Sequence, residues 1–223
     1  MNVRSYAFEE YVERVRSFHG FAAPGVLIGG FMVDLAYQHL PEEGLLDAIC
    51  ETAKCLPDAI QLLTPCTIGN GWLRVIDIGR FALSFYDKSN GEGFRVSLDP
   101  SLLEAWPEIK NWFFKLKPKK EQDYGLLMEQ IRKSGTSICR IERVRIAPSF
   151  LGKKQRGKIA LCPKCKEAYP PSDGPICLGC AGEIPYHVSE IADGLAPERS
   201  KGQTSIDIGD QHALLERERR PTG

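Results

Sequence analysis

Four cysteines in two Cys-x-x-Cys pairs, Cys162-Pro-Lys-Cys165 and Cys177-Leu-Gly-Cys180, carry the strongest chemical signal in the chain. Eleven residues separate the pairs, a spacing that lets two knuckles each present two sulfurs to one tetrahedral cation. Four thiolates of this kind suit Zn²⁺, and with every position taken by sulfur the ion is structural and does not imply catalysis. A rubredoxin-like iron centre and disulfide pairing are the competing readings of the same spacing. The segment around the cysteines holds almost no apolar core, so metal binding has to supply most of its folding free energy.

A second group with chemical potential lies in residues 51–71, ETAKCLPDAIQLLTPCTIGNG. Pro57 suits the first turn of a helix, Asp58 favours the positive end of its dipole, and Thr64-Pro65 ends it. Cys55 then precedes a helix N-terminus, where the dipole is expected to lower a thiol's pKa and improve it as nucleophile or ligand. Cys66 opens a glycine-bearing loop, CTIGNG. The bland reading is two buried core cysteines, since free Cys is among the most buried residue types. A helix over residues 57–64 rises about 1.5 Å per residue, so the two cysteines stand roughly 12 Å apart unless the loop folds back. His39, His187 and His212 show no partner pattern, and Cys50 and Cys139 read as core residues.

The elements that must position these groups follow from periodicity. Phe8, Tyr11, Val12, Val15 and Phe18 make an i, i+3, i+4, i+7 stripe, which predicts an amphipathic helix over residues 6–18. The loop HGFAAPG follows, and Pro24 starts a helix over residues 25–40. Gly29 and Gly30 inside it cost about 1 kcal/mol each relative to alanine, a cost expected where another backbone approaches closely. Residues 45–51, 72–78, 80–86 and 93–98 read as strands, the third with Phe81, Leu83 and Phe85 alternating inward as in a half-buried strand. Helices follow over 102–116, interrupted at Pro107, and over 121–133, then a last strand over 137–146. Helices packed on a mainly antiparallel sheet give an α+β domain over residues 1–147. A basic linker over 148–158, a four-cysteine zinc finger over 159–187 and a polar tail over 188–223 complete the organisation.

Composition narrows the partners. With 29 basic and 29 acidic residues the formal net charge is zero, so nothing global demands nucleic acid or a membrane surface. No apolar run reaches 18 residues, and the charged N-terminus does not read as a signal peptide, so a cytoplasmic protein is expected. Residues 140–166 hold nine Arg or Lys against one Glu, the local footprint of a zinc-finger protein that binds nucleic acid or a protein, although a solvated linker explains the same charges.

The order FHGFAAPG, then ETAKCLPDAIQLLTPCTIGNG, then a strand pair and a late four-cysteine finger resembles the formylmethanofuran dehydrogenase E-subunit family. The resemblance implies an α+β core, a treble-clef-like finger, a His and Cys metal cluster in the core, a homodimer, and association with the other subunits of a one-carbon redox enzyme. The family's first motif resembles H-G-H-x-C-P-G, whereas Phe21 and Ala23 stand here where His and Cys are usual. His19, Cys55, Asp58 and Cys66 match the remainder. On that resemblance a second metal in the core, or a metal- or thiol-dependent enzyme built on His19, Cys55 and Cys66, stands beside a modified pocket with an accessory role.

Overall fold

A computed structural model describes residues 1–41, 44–151 and 157–186. His187, His212 and the tail over 188–223 lie outside the described residues, as does part of the linker. The chain divides into two units at residues 155/156.

The first unit is organised on one largely buried helix. The amphipathic stripe forms α1 (Phe8–His19), which buries Phe8, Tyr11 and Val15 and ends at Gly20 in the left-handed region, φ 92°. Pro24 then opens α2 (Pro24–Tyr37), most of whose residues are buried. Its glycines make room for side chains, where the sequence suggested backbone. A methyl at Gly29 would sit 2.7 Å from the Ala59 Cβ, and one at Gly30 would sit 2.5 Å from the Tyr11 ring. Tyr11 donates from its hydroxyl to the Val26 carbonyl, 2.8 Å away, so its buried polar atom is satisfied.

The sheet runs in the order β4-β3-β5-β6-β7: β3 (Leu46–Cys50), β4 (Leu73–Val75), β5 (Ala82–Asp87), β6 (Glu92–Leu98) and β7 (Cys139–Arg145). All pairs are antiparallel except β3 with β4, which run parallel. Residues 51–71 are therefore the crossover that parallel pairing requires, with α3 (Leu56–Leu63) at its centre. β5 departs from the half-buried expectation, because Ala82 through Tyr86 are all buried. Leu83 and Phe85 point to the helix side, where Tyr37 packs edge-on to Phe85 at 5.1 Å. On the opposite face Arg95 of β6 pairs with Glu51, at 2.9 Å from Nη2 to Oε2, and with Glu142 of β7 at 3.1 Å.

Between β6 and β7 the chain makes a 3-10 turn (Pro100–Ala105), α4 (Pro107–Phe113) and α5 (Tyr124–Ser134), so Pro107 does divide the helical stretch. A short hairpin that periodicity did not signal, β1 (Asn2–Val3) with β2 (Tyr6–Ala7), precedes α1. Among the described residues no helix is long and apolar enough to cross a membrane. Among its described residues the second unit contains one short antiparallel pair, β8 (Ala160–Leu161) with β9 (Ala168–Tyr169).

Candidate metal centre and core pocket

In the second unit the sulfurs of Cys162, Cys165, Cys177 and Cys180 all lie within 4.8 Å of one another. Cys165 and Cys177 are 3.7 Å apart, sulfur to sulfur. Four ligands at about 2.3 Å around a tetrahedral Zn²⁺ have edges of about 3.8 Å, so the donor set fits the ion in number, type and span. No disulfide joins them.

Each knuckle is shaped by its own backbone. Lys166 takes φ 66°, which lets its N–H reach back to the Cys162 carbonyl at 2.9 Å while the Cys162 N–H bonds to Glu167 at 2.8 Å. Main-chain N–H groups also aim at sulfur: Cys177 donates to the Cys162 sulfur at 3.5 Å and Cys180 to the Cys177 sulfur at 3.3 Å. Backbone N–H groups, first that of Cys177 and then that of Cys165, pull the Cys162 thiol down to about 6. Burial and the neighbouring sulfurs push Cys180 up to about 12. Four sulfurs this close cannot all ionise unless a cation sits among them, which is the electrostatic signature of a metal cage.

The core unit separates the other candidates. Cys55 lies ahead of α3, near the start of α2: a methyl on Gly25 would lie 2.9 Å from its sulfur. Its backbone is at φ 61°, ψ −54°, and the Leu56 N–H bonds to the Lys54 carbonyl across it at 2.6 Å. This is a γ-turn of the uncommon, strained hand. The expected depression of the thiol pKa is overturned. Burial, then the Asp58 carboxylate, push the Cys55 thiol up, with Lys54 opposing. His19, in the last turn of α1, places Nδ1 2.6 Å from Oδ2 of Asp58 and tilts against the Phe21 ring at 5.2 Å.

Cys66 is elsewhere. Its sulfur lies 3.6 Å from the Leu46 carbonyl at the start of β3, whereas Cys55 follows the end of that strand. The CTIGNG loop leaves Cys66 at the start of β3: Asn70 ties it to Thr67, Pro65 and Trp72, and its Ile68 N–H bonds to Gln61 of α3 at 3.2 Å. Among the described residues, no group of three close metal donors includes His19, Cys55 or Cys66.

Cys55 opens into a cavity of about 330 Å³ walled by Phe21, Ala23, Trp112, Tyr124 and Leu127. Tyr124 closes one side by donating its hydroxyl to the Ala22 carbonyl. Trp112 was visible as an apolar face, but its place in this wall was not, because α4 and α5 reach the pocket through tertiary packing. The side chains at the two altered motif positions are both here, one exposed and one buried.

An α+β core with an appended four-cysteine zinc-type unit defines the class of protein. The chain belongs to the FmdE family. The model described as "FmdE, Molybdenum formylmethanofuran dehydrogenase operon" matches residues 18–146, and the "FmdE treble clef zinc finger" model matches residues 153–187. The fold is similar to a tungsten formylmethanofuran dehydrogenase FmdE-like protein from Syntrophus aciditrophicus. That likeness has 57% identity and a TM-score of 0.77, and covers 83% of this chain and 98% of the other. The sequence is also 28% identical over 190 residues to a probable S-adenosyl-L-methionine-binding protein of Archaeoglobus fulgidus, covering 76% of this chain. The chain spans about half of that relative, 52% of its length.

Proposed function

We propose that this chain is a zinc-stabilised accessory protein of a one-carbon redox enzyme, and that its core pocket binds an apolar group in place of a catalytic metal. The observation that carries this reading is the wall around Cys55. Phe21 and Ala23 supply apolar surface there, and the lone thiol beside them is held protonated by burial. Such a pocket suits recognition by packing more than it suits Lewis-acid chemistry. The working unit in this reading is a cytoplasmic homodimer that docks on the enzyme's other subunits. The ligand named for the Archaeoglobus relative is not carried over, since half of that protein lies outside the match.

Metal analysis of the purified full chain tests it. About one zinc per chain is expected, lost when Cys162→Ser is introduced and unchanged in Cys55→Ser. A second equivalent lost with Cys55→Ser overturns the reading.

One observation favours a second reading, a thiol-dependent enzyme: the strained γ-turn that presents Cys55 to the cavity. The two readings separate on alkylation by iodoacetamide at pH 7. The binding reading expects Cys55 to react no faster than a free thiol, because its pKa is raised. Faster reaction that disappears in Cys55→Ser supports the enzyme.

A further inference from the structure

A different cavity, at the end of the sheet where β3 begins, holds about 580 Å³, within the range of small-molecule sites. Arg4, Tyr37, Leu46, Pro65, Trp72 and Lys88 line it. It lies at the opposite end of β3 from Cys55 and contains none of the residues of the metal or thiol chemistry. We infer that this cavity binds a small organic anion, a planar ring carrying a carboxylate or phosphate, with Arg4 as the anion-binding residue.

Two cations stack on two aromatic rings at this cavity, and they differ in their partners. The Arg4 Cζ lies 3.8 Å from the Tyr37 ring centroid, and the Lys88 Nζ lies 3.9 Å from that of Trp72. Lys88 is already neutralised, its Nζ standing 3.1 Å from Oδ1 of Asp47, with both side chains mostly buried. The Arg4 fork has no such partner: among the described residues its guanidinium makes no ion pair, and the Asp34 carboxylate meets the Arg4 backbone, not the fork. One Asp34 oxygen accepts the Arg4 backbone N–H at 3.0 Å and the other accepts Gln38 at 3.0 Å. Among the described residues the Arg4 guanidinium therefore keeps its donors free at the cavity, on a planar fork whose geometry matches a carboxylate or phosphate.

The fork is also held in advance. Arg4 sits at φ 56° in the tight turn between β1 and β2, anchored through its N–H and flattened on Tyr37. Asn70 holds the Trp72 backbone at 2.9 Å. Groups fixed before binding lose little side-chain entropy on binding. The remaining walls, Leu46, Pro65 and the Trp72 ring, are apolar or aromatic and suit a ring rather than a bare ion.

The test uses the full chain and two probes, 2-naphthoate and adenosine 5′-monophosphate, against their uncharged counterparts 2-naphthalenemethanol and adenosine, and against inorganic phosphate. Binding is read by calorimetry and by the indole N–H resonance of Trp72. At least one charged probe is expected to bind below ~1 mM, a threshold typical of weak sites. Its uncharged counterpart and inorganic phosphate should bind at least tenfold more weakly. Arg4→Gln should weaken binding tenfold or more, with Arg4→Lys intermediate because it keeps the charge and loses the fork. Thermal unfolding of each variant confirms that this exposed residue was changed without loss of the fold. Failure of both charged probes to bind overturns the inference. So does equal binding of either control, or affinity unchanged in Arg4→Gln. Which charged probe wins tells carboxylate from phosphate.

Discussion

A sulfur's behaviour in this chain is set by what lies within a few ångströms of it, and three cysteines illustrate the two directions. Cys162 is pulled down by backbone N–H groups, Cys55 is pushed up by burial and a carboxylate, and Cys50 is pushed up to about 11 by burial at the end of β3. Cys50 has a consequence for stability. Its thiol ionises near 9.0 when exposed and near 11 when folded, so the unfolded chain loses its proton first. Its contribution is intact below about pH 9 and is lost as pH rises through about 11, at up to about 1.4 kcal/mol per pH unit. Urea midpoints at pH 8 and pH 10.5 should show the loss, and Cys50→Ala should shrink the difference between them. An unchanged difference would place the alkaline sensitivity on another group.

Between elements, the glycines of α2 decide how closely the helices pack. Alanine usually gains about 1 kcal/mol over glycine inside a helix. At Gly30 the added methyl meets the Tyr11 ring at 2.5 Å, and Tyr11 cannot swing away without giving up its bond to Val26. Overpacking costs about 1–3 kcal/mol, so Gly30→Ala should lower stability by about 2 kcal/mol in urea unfolding. Combining it with Tyr11→Leu should cost less than the sum of the two changes, since both act on one contact. The presence of glycines there was legible in the sequence, but not what approached them, because the neighbour comes from α1, 19 residues earlier. The same distinction runs through the fold. The stripe of α1, the break at Pro107 and the two knuckles depend on local spacing, and each could be read directly. The parallel pairing of β3 with β4 and the burial of β5 on both faces depend on which strands become neighbours. At the candidate site, Cys55 and Asp58 were legible, whereas the wall of Trp112 and Tyr124 and the separation of Cys66 are products of packing.

Taken as a whole molecule, the chain draws its stability from two different sources. The first unit has a contiguous apolar core built from α1 through β7 and its hairpin. In the second, the buried residues among those described are Cys162 and Tyr169, far too little apolar surface to offset the entropy of ordering the segment. Structural zinc supplies about 10–16 kcal/mol to finger peptides near neutral pH, enough to decide whether such a unit folds. A zinc chelator should therefore unfold residues 160–185 while leaving the core intact. The protein offers a clean readout, because all three tryptophans, Trp72, Trp106 and Trp112, belong to the first unit. Chelation should make amide exchange in the second unit fast without moving the tryptophan emission maximum, and added zinc should restore protection. A red-shifted emission on chelation would show instead that the core depends on the metal, and the separation into an apolar-stabilised unit and a metal-stabilised unit would fail.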